Sequence, residues 1–374
     1  MKLFKKILLL TTLMSLVFVM TLAPASGADK LSVAIDDKAI SIAADYGTPY
    51  IDSANRTMVP LRVVSENLGA KVAWDQKTQT ATINGDIKVK IGSKSIQTAY
   101  GTITMDTTAV IKGSRTYIPF RYIGNALGYD VSWSAKTYTA NIITKSNLTI
   151  SAAASLKNAL GEIQALYLKD KPNAKVTINY GGSGALQQQI EQGAPVDVFL
   201  SAATSNMNTL KGKGILDNNT IKNLLQNKLV LIIKSDSKAD ITKFTDVTKD
   251  EVKRLALGEP TTVPAGKYAV QSFTYYKVLD EAKAKAVYAK DVTEVLTWVG
   301  TGNADAGVVY STDAKSSAKV KVVAVAAEVS HDPVVYPGAV IKATKQPVAS
   351  QDFLNYVNGS AAKAIFVKYG FSVI

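Results

Sequence analysis

The fold of this chain is indicated most clearly by residues 148–167, which read LTISAAASLKNALGEIQALY. The first four of these residues predict a short strand, and Leu156, Leu160, Ile163 and Tyr167 then recur at helical spacing. Small residues at 152–155 supply the turn. A strand followed at once by an amphipathic helix is the repeating unit of an α/β fold.

The same unit recurs along residues 147–374, after a short polar hinge at residues 145–148. Further strands are predicted at residues 175–180 (KVTINY), 195–201 (PVDVFLS), 229–233 (LVLII), 306–310 (AGVVY) and 334–341 (VVYPGAVI). A glycine-rich turn at 181–184 precedes a predicted helix at 185–191, but it lacks the Lys-Ser/Thr pair of a nucleotide P-loop. Pro264 fits the first turn of another helix, and Asp291 fits the N-cap of a third.

The first half of the chain contains a duplicated unit. Residues 56–62 (RTMVPLR) recur at 115–121 (RTYIPFR), and the match continues at a constant offset of 59 residues through Trp74 and Trp133. Each unit predicts a strand ending at Pro, a helix (61–68 and 120–127) closed by Gly, and a two-stranded hairpin. We therefore expect a small duplicated α+β domain, with the two tryptophans as core or interface anchors.

Composition excludes several classes of function. The chain has 374 residues, a formal net charge of +13, one His and no Cys. Without Cys there is no disulfide scaffold or thiol catalysis, and a lone His331 cannot build a histidine metal site. The positive charge is diffuse, with no Lys/Arg run longer than two after residue 28, so a nucleic-acid partner is not expected.

Residues 1–28 have the pattern of a secretory signal peptide. Three lysines precede an apolar run at residues 7–23, and small residues fit cleavage after Ala25 or Ala28. An uncleaved membrane anchor is the lesser alternative, because the run is short for a membrane span. A lipid anchor would need a cysteine at the cleavage point, and because the chain has no Cys, no lipid anchor is expected. The pattern predicts secretion to the extracellular face of the cell envelope.

Several helix starts in residues 147–374 carry small or hydroxyl-bearing residues. Ser155 and Ser183 follow predicted strands, while residues 264–266 and 291–293 present bare amides at helix N-termini. Aligned N–H groups and hydroxyls hold an anion without counter-charges. The commoner alternative for a serine in such a position is a simple helix cap.

The duplicated half resembles the bacterial domain family named after the N-terminal domain of copper amine oxidases. The strings VPLR, LGAKVAWD and TQTATI carry the resemblance, which covers about residues 31–144. It implies no copper chemistry, because these residues contain neither His nor Cys. It implies a stalk or envelope-attachment domain, here residues 29–144; a mere spacer is the alternative.

Residues 147–374 resemble the periplasmic-type molybdate-binding proteins of ABC transporters. The strings AAASL, GAPVDVFLSA, EPTTVPAGKY, AGVVY and KYGF occur in the family order. The resemblance implies an α/β, type II-like periplasmic-binding-protein fold whose two lobes, joined by hinge strands, close over one tetrahedral oxyanion. It also implies that the ion is held through its oxygens, without any direct cation ligand, by Ser155, Ser183, Ala265, Val292 and Tyr310.

Each of these residues has a purely structural alternative. Ser155 could cap its helix, Val292 could be core, and the hydroxyl of Tyr310 could bond backbone. The joint pattern in family order favours binding.

We therefore expect a secreted, monomeric, non-enzymatic receptor without cofactor or catalytic residue. It would bind molybdate or tungstate and deliver the ion to a membrane ABC permease, with a cell-wall polymer as candidate partner of residues 29–144. The alternative is a wall adhesion protein whose lobes no longer bind ions. A hydrolase is the weakest hypothesis, since the only imidazole that could serve as a base is His331.

Overall fold

A computed structural model describes residues 30–374. The expected signal peptide lies outside these residues. Among residues 30–374, no helix combines the length and the apolar character needed to cross a membrane.

The N-terminal half forms three small sheets and two short helices. Its elements are β1 (Ser32–Ile35), β2 (Lys38–Ala39), β3 (Tyr50–Ile51), β4 (Thr57–Pro60), α1 (Leu61–Asn67), β5 (Val72–Asp75), β6 (Thr80–Ile83), β7 (Ile87–Lys90), β8 (Ser95–Thr98), β9 (Gly101–Thr104), β10 (Val110–Lys112), β11 (Arg115–Pro119), α2 (Phe120–Ala126), β12 (Asp130–Ser134) and β13 (Thr139–Ile143). The strand orders are β12-β13-β1-β2, β10-β11-β4-β3 and β5-β6-β7-β8-β9.

The predicted duplication is present in the structure. Strand, helix and hairpin follow one another as β4-α1-β5-β6 and again as β11-α2-β12-β13. Both helices end before a glycine in the left-handed region, Gly69 with φ +79° and Gly128 with φ +78°. The two tryptophans differ: Trp74 is half-buried and packs against the N-terminal core, whereas Trp133 is 45% exposed and is not a core residue.

The C-terminal half contains two α/β lobes. Its elements are β14 (Ser146–Ala153), α3 (Lys157–Asp170), β15 (Ala174–Gly181), α4 (Ser183–Glu191), β16 (Val198–Leu200), α5 (Thr204–Gly212), β17 (Lys222–Gln226), β18 (Leu229–Lys234), β19 (Leu255–Gly258), α6 (Pro264–Tyr275), α7 (Leu279–Ala284), β20 (Ala286–Ala289), α8 (Val292–Thr301), β21 (Ala306–Tyr310), α9 (Ser311–Lys315), β22 (Val320–Val325), β23 (Val335–Val340), α10 (Pro347–Val357), α11 (Ser360–Tyr369) and β24 (Ser372–Val373).

The chain crosses between the lobes twice. The first lobe holds the sheet β15-β14-β16-β23-β17-β24, and the second holds β20-β19-β21-β18-β22. Residues 227–228 lead from β17 to β18, and residues 326–334 lead back from β22 to β23. This is the two-lobe arrangement with hinge segments that the family resemblance implies. One continuous apolar core runs through both lobes, and a separate core fills the N-terminal half.

Some predicted boundaries are shifted. Strand β14 begins at Ser146, inside the expected polar hinge, because its first residues pair with β15. Helix α4 begins at Ser183 and not at residue 185, so the predicted four-residue turn ends at Gly182. Strand β16 is shorter than the predicted 195–201, with the amide of Asp197 donating instead to Thr149 O at 2.8 Å.

Candidate anion-binding site

Ser155 lies in a single 3-10 turn, Ala154–Leu156, between β14 and α3. Neither this turn nor α3 has a side-chain N-cap, so Ser155 does not cap its helix. Its hydroxyl instead lies 3.0 Å from the hydroxyl of Tyr336 on β23. The simple-cap alternative for Ser155 is therefore wrong, and its half-buried hydroxyl belongs to a polar cluster between the lobes.

Ser183 is the first residue of α4 and is 1% exposed. Its hydroxyl accepts a hydrogen bond from the amide of Ala202 at 3.0 Å. The hydroxyl keeps its own hydrogen for a further acceptor, because the Ala202 amide uses only a lone pair. Ser183 thus offers a donor from within a buried helix start.

Ala265 and Val292 open two helices of the second lobe. Ala265 is the second residue of α6, after Pro264 at the position where a missing N–H costs nothing. Val292 is the first residue of α8, whose N-cap Asp291 accepts from Glu294 N at 2.9 Å. Within residues 30–374, no hydrogen bond uses the amide of Ala265 or of Val292. First-turn amides without partners are the donors that bind anions at helix N-termini.

Tyr310 ends β21 and is 1% exposed. Among the described residues, its hydroxyl is the one buried side-chain polar atom that has no hydrogen-bond partner. The alternative in which this hydroxyl bonds backbone is therefore wrong. Burial raises the pKa of Tyr310 well above its ordinary value, so the group remains a neutral donor. A buried donor without an acceptor is costly and points to a ligand that supplies one.

The loops that carry these residues meet across the two lobes. The amide of Gly184 donates to Thr262 O at 2.8 Å, three residues before Ala265. Gly182 lies so close to the second lobe that an added Cβ would be 2.9 Å from Lys290 O, two residues before Val292. The turn at Ala154–Leu156 contacts α8. The two predicted serines and the two helix starts are therefore brought to one interface between the lobes.

Tyr310 joins the same cluster through aromatic contacts. Its ring lies 5.8 Å from the ring of Tyr336, which in turn contacts Ser155. Tyr268 of α6 lies near Tyr310 and directs its hydroxyl towards Ala202 O at 3.5 Å. All five predicted residues thus belong to elements that meet at the interface between the lobes.

Sequence reasoning missed Tyr336 and Asn227. Burial raises the pKa of Tyr336, which remains protonated. Its hydroxyl bonds that of Ser155 and accepts a hydrogen bond from Nδ2 of Asn227 at 3.2 Å. Asn227 lies in the first crossing and also bonds Ser311 and Thr312 of α9. A tyrosine in the otherwise apolar strand VYPGAV could have indicated a buried hydroxyl, but its partner Ser155 could not be identified from the sequence.

Asp313 lies beneath Tyr310 and is the buried acid of this region. Its carboxylate accepts from the amide of Tyr310 at 3.2 Å, and burial raises the pKa of Asp313 to about 7. The nearby charge of Asp291 raises it further. Below this pH the carboxyl is mostly protonated and adds little repulsion to a bound anion.

The lone histidine lies at the edge of the second crossing. His331 is half-buried, its Nδ1 lies 2.7 Å from the carbonyl oxygen of Asp332, and its ring lies 5.7 Å from that of Tyr268. Residues 30–374 contain no group of three or more His, Asp and Glu side chains arranged to hold a metal ion. The five predicted site residues contribute backbone amides and hydroxyl groups.

Comparison with known families agrees with this architecture. Residues 148–372 match the family of bacterial extracellular solute-binding proteins, which is more than half of the chain. The chain belongs to this family. Residues 35–142 of this solute-binding protein match the copper amine oxidase N-terminal domain. Its relatives are binding components of transporters and not enzymes.

Three relatives are informative. A Bacillus subtilis protein, provisionally described as a substrate-binding lipoprotein of an ABC transporter, is 43% identical over 61% of this solute-binding protein and 87% of its own length. The molybdate-binding protein ModA of Haemophilus influenzae is 38% identical over 66% of the chain and 93% of its own length. The solved periplasmic molybdate-binding protein of Azotobacter vinelandii is 22% identical over 61% of the chain and 99% of its own, with a TM-score of 0.54, and it supports the fold.

Proposed function

We propose that this solute-binding protein captures molybdate outside the cell and delivers it to a membrane ABC permease. In this proposal residues 1–28 are a signal peptide, residues 29–144 an attachment domain and residues 147–374 the binding domain. The names of its relatives support the ligand, which needs no cofactor. The oxygens of the ion would be held by Ser155, Ser183, Ala265, Val292 and Tyr310.

The observation that carries the proposal is the hydroxyl of Tyr310. It is buried without a partner among the described residues, next to a cluster of neutral hydroxyls. Together with the amides of Ala265 and Val292, which have no partner among residues 30–374, it offers three unused donors. A tetrahedral dianion supplies the several acceptors that such a donor set requires.

Selection among oxyanions would rest on the size of the site. Sulfate carries the same charge as molybdate but is smaller, so donors fixed at the distances that suit molybdate would form long, weak bonds with sulfate. Tungstate has nearly the size of molybdate, and we propose that it binds as well.

Delivery would depend on closure of the lobes. The interface at Gly182, Gly184 and Thr262 has no side chain on the glycines, so the two lobes approach at backbone distance. A ligand that contacts both lobes stabilises the closed arrangement, because only that arrangement makes all contacts at once. The permease would recognise the closed form.

We also propose that residues 29–144 hold the secreted, monomeric protein at the cell envelope through a wall polymer. This region carries 13 basic and ten acidic residues, a mild positive excess that suits an anionic surface.

Calorimetric titration of residues 29–374 tests the ligand. Molybdate and tungstate should bind tightly and sulfate and phosphate weakly, and Ser155→Ala and Tyr310→Phe should each weaken molybdate binding about tenfold, in line with about 1.4 kcal/mol per decade. Tyr310→Phe should also stabilise the ligand-free protein, because it removes an unsatisfied hydroxyl. Tyr356→Phe, which removes a surface bond to Asp170, is the matched control. A folded chain that binds none of the four ions would overturn the proposal in favour of the adhesion protein.

A further inference from the structure

The two repeats of the N-terminal half are related by a local twofold arrangement. In the antiparallel β4–β11 ladder, Val59 pairs directly with Ile118. These two residues are equivalent in the repeat, 59 positions apart. Because equivalent residues face each other in this antiparallel ladder, a residue of the first repeat at one end of the ladder has its counterpart from the second repeat at the other end.

This arrangement produces two equivalent grooves. The first groove, of about 530 Å³, is lined by Arg62 and Trp74 of the first repeat and by Arg115 of the second. The second groove, of about 400 Å³, is lined by the counterparts Arg121, Trp133 and Arg56. Each groove therefore contains one tryptophan and two arginines, contributed by both repeats.

In the first groove the guanidinium groups are held in place by backbone oxygens. Nη1 of Arg62 donates to Val72 O at 2.8 Å, and Nε and Nη2 of Arg115 donate to Asp45 O at 3.2 and 2.8 Å. Nη1 of Arg115 also donates to Ser114 O at 3.2 Å, and Arg62 forms a surface ion pair with Glu66 at 3.3 Å. Since a guanidinium has five N–H donors, both arginines keep donors for a ligand.

The second groove also keeps positive charge. Arg56 pairs with Asp106, but Arg121 has no ion-pair partner among residues 30–374. With two arginines and one aspartate in its lining, the groove has a net positive charge. An arginine guanidinium matches the geometry of a carboxylate better than a lysine does.

Exposed aromatic rings accompany the arginines in both grooves. In the second groove, Trp133 is 45% exposed and Tyr138 37% exposed, with their rings edge to face at 5.2 Å. In the first groove, Tyr46 is 51% exposed. Only the tryptophans are repeat-equivalent, and the counterpart of Trp133, Trp74, is half-buried against the core. Large aromatic rings left open beside cations in both grooves indicate a binding surface.

We infer that the two grooves bind an acidic polysaccharide whose sugars carry carboxylate groups. The inference rests on the proposed attachment role and gives it a site. The tryptophan face would cover the apolar face of a sugar ring, while the two arginines bind the carboxylates. A duplicated site suits a ligand that repeats, because occupation of one groove raises the effective concentration of the polymer at the other.

The test measures binding of residues 29–374 to polygalacturonate, with neutral pullulan and inorganic polyphosphate as comparison ligands. We expect binding of polygalacturonate that falls at least tenfold in the Trp74→Ala, Trp133→Ala double variant and in the Arg62→Gln, Arg121→Gln double variant. Molybdate titration and thermal unfolding of each variant report whether it is folded. If the tryptophan double variant unfolds, the Arg62→Gln, Arg121→Gln double variant still tests the inference.

A matched control removes two positive charges elsewhere in the same domain. Lys88 and Lys90 are exposed on β7 and line neither groove. The Lys88→Gln, Lys90→Gln variant should bind polygalacturonate as the unmodified chain does. Equal losses in the control and Arg variants, or no loss in the tryptophan variant, would show a nonspecific basic surface and overturn the inference.

The comparison ligands separate the remaining outcomes. Equal binding of pullulan, stronger binding of polyphosphate or no binding of polygalacturonate would each overturn the inference. Molybdate binding in the same samples is independent of the grooves. A chain that binds molybdate but not polygalacturonate would refute only the inference about the grooves. A chain that binds polygalacturonate but not molybdate would refute only the proposed oxyanion capture.

Discussion

The hydroxyl of Ser155 lies 3.0 Å from the hydroxyl of Tyr336, 181 residues further along the chain. Tyr336 is fully buried on β23, directly after the second crossing between the lobes. The bond therefore links the first predicted anion contact to the hinge. We therefore expect Tyr336 to act as a positioning residue for the proposed site, since it bonds the Ser155 hydroxyl and is itself held by Asn227.

Tyr336→Phe should weaken molybdate binding about fivefold, because one hydrogen bond that orients the Ser155 hydroxyl is worth about 1 kcal/mol. Titration calorimetry measures the Kd. In Ser155→Ala the substitution of Tyr336 should have little further effect, since the group that it positions is gone. Additive losses in the double variant would contradict the positioning role.

Gly182→Ala should hinder closure of the lobes. A Cβ at this position would lie 2.8 Å from Thr262 O and 2.9 Å from Lys290 O, both backbone atoms of the opposite lobe. We expect a loss of molybdate affinity of at least about tenfold, or 1.4 kcal/mol, and a larger radius of gyration by small-angle X-ray scattering. Gly161→Ala is the control, because nothing lies within 4 Å of its added Cβ. Unchanged molybdate affinity in Gly182→Ala would refute the idea that binding requires the close approach of the two lobes at Gly182.

Asp313 should make stability depend on pH. Burial raises the pKa of Asp313 from 3.8 to about 7, so the folded protein holds a proton that the unfolded chain has lost. The contribution of Asp313 is therefore complete below about pH 4 and is lost as the pH rises towards 7, by at most about 4 kcal/mol at 1.4 kcal/mol per pKa unit.

Asp313→Asn keeps an acceptor for the amide of Tyr310 and removes this dependence. Denaturant unfolding at pH 5 and pH 8 should show a smaller loss of stability in Asp313→Asn than in the unmodified chain. Asp250→Asn, at an exposed position, is the control. The same pH dependence in all three proteins would contradict the assignment.

Asp130 connects the duplicated domain to the first lobe. Its carboxylate accepts from Val348 N at 3.1 Å and Ala349 N at 3.2 Å, at the start of α10. Asp130→Ala should lower the free energy of unfolding by about 1 kcal/mol, the usual value of a helix cap. It should also speed limited proteolysis near residues 144–146, with the Kd for molybdate unchanged.

Asp75→Ala provides the comparison for Asp130→Ala. Asp75 also accepts from two amides, those of Lys77 and Thr78, but within its own turn. Its loss should leave cleavage near residues 144–146 unchanged. Equal cleavage rates in both variants would show that Asp130 does not hold the two domains together.

The sequence alone determined the α/β order of the second half and the duplication of the first. These are local properties: apolar periodicity, Gly caps, Pro264 in a first turn and the Asp291 N-cap each depend on a few neighbouring residues. The five proposed anion contacts followed from family motifs and helix starts, and the structure brings their elements to one interface.

Tertiary structure alone decided the partners of these residues. The Ser155–Tyr336 bond, the unpartnered hydroxyl of Tyr310 and the raised pKa of Asp313 arise from burial and from contacts over long sequence separations, which local patterns do not encode. The two grooves have the same origin. The repeat was visible in the sequence, but only the pairing of Val59 with Ile118 joins an arginine of one repeat to the tryptophan of the other.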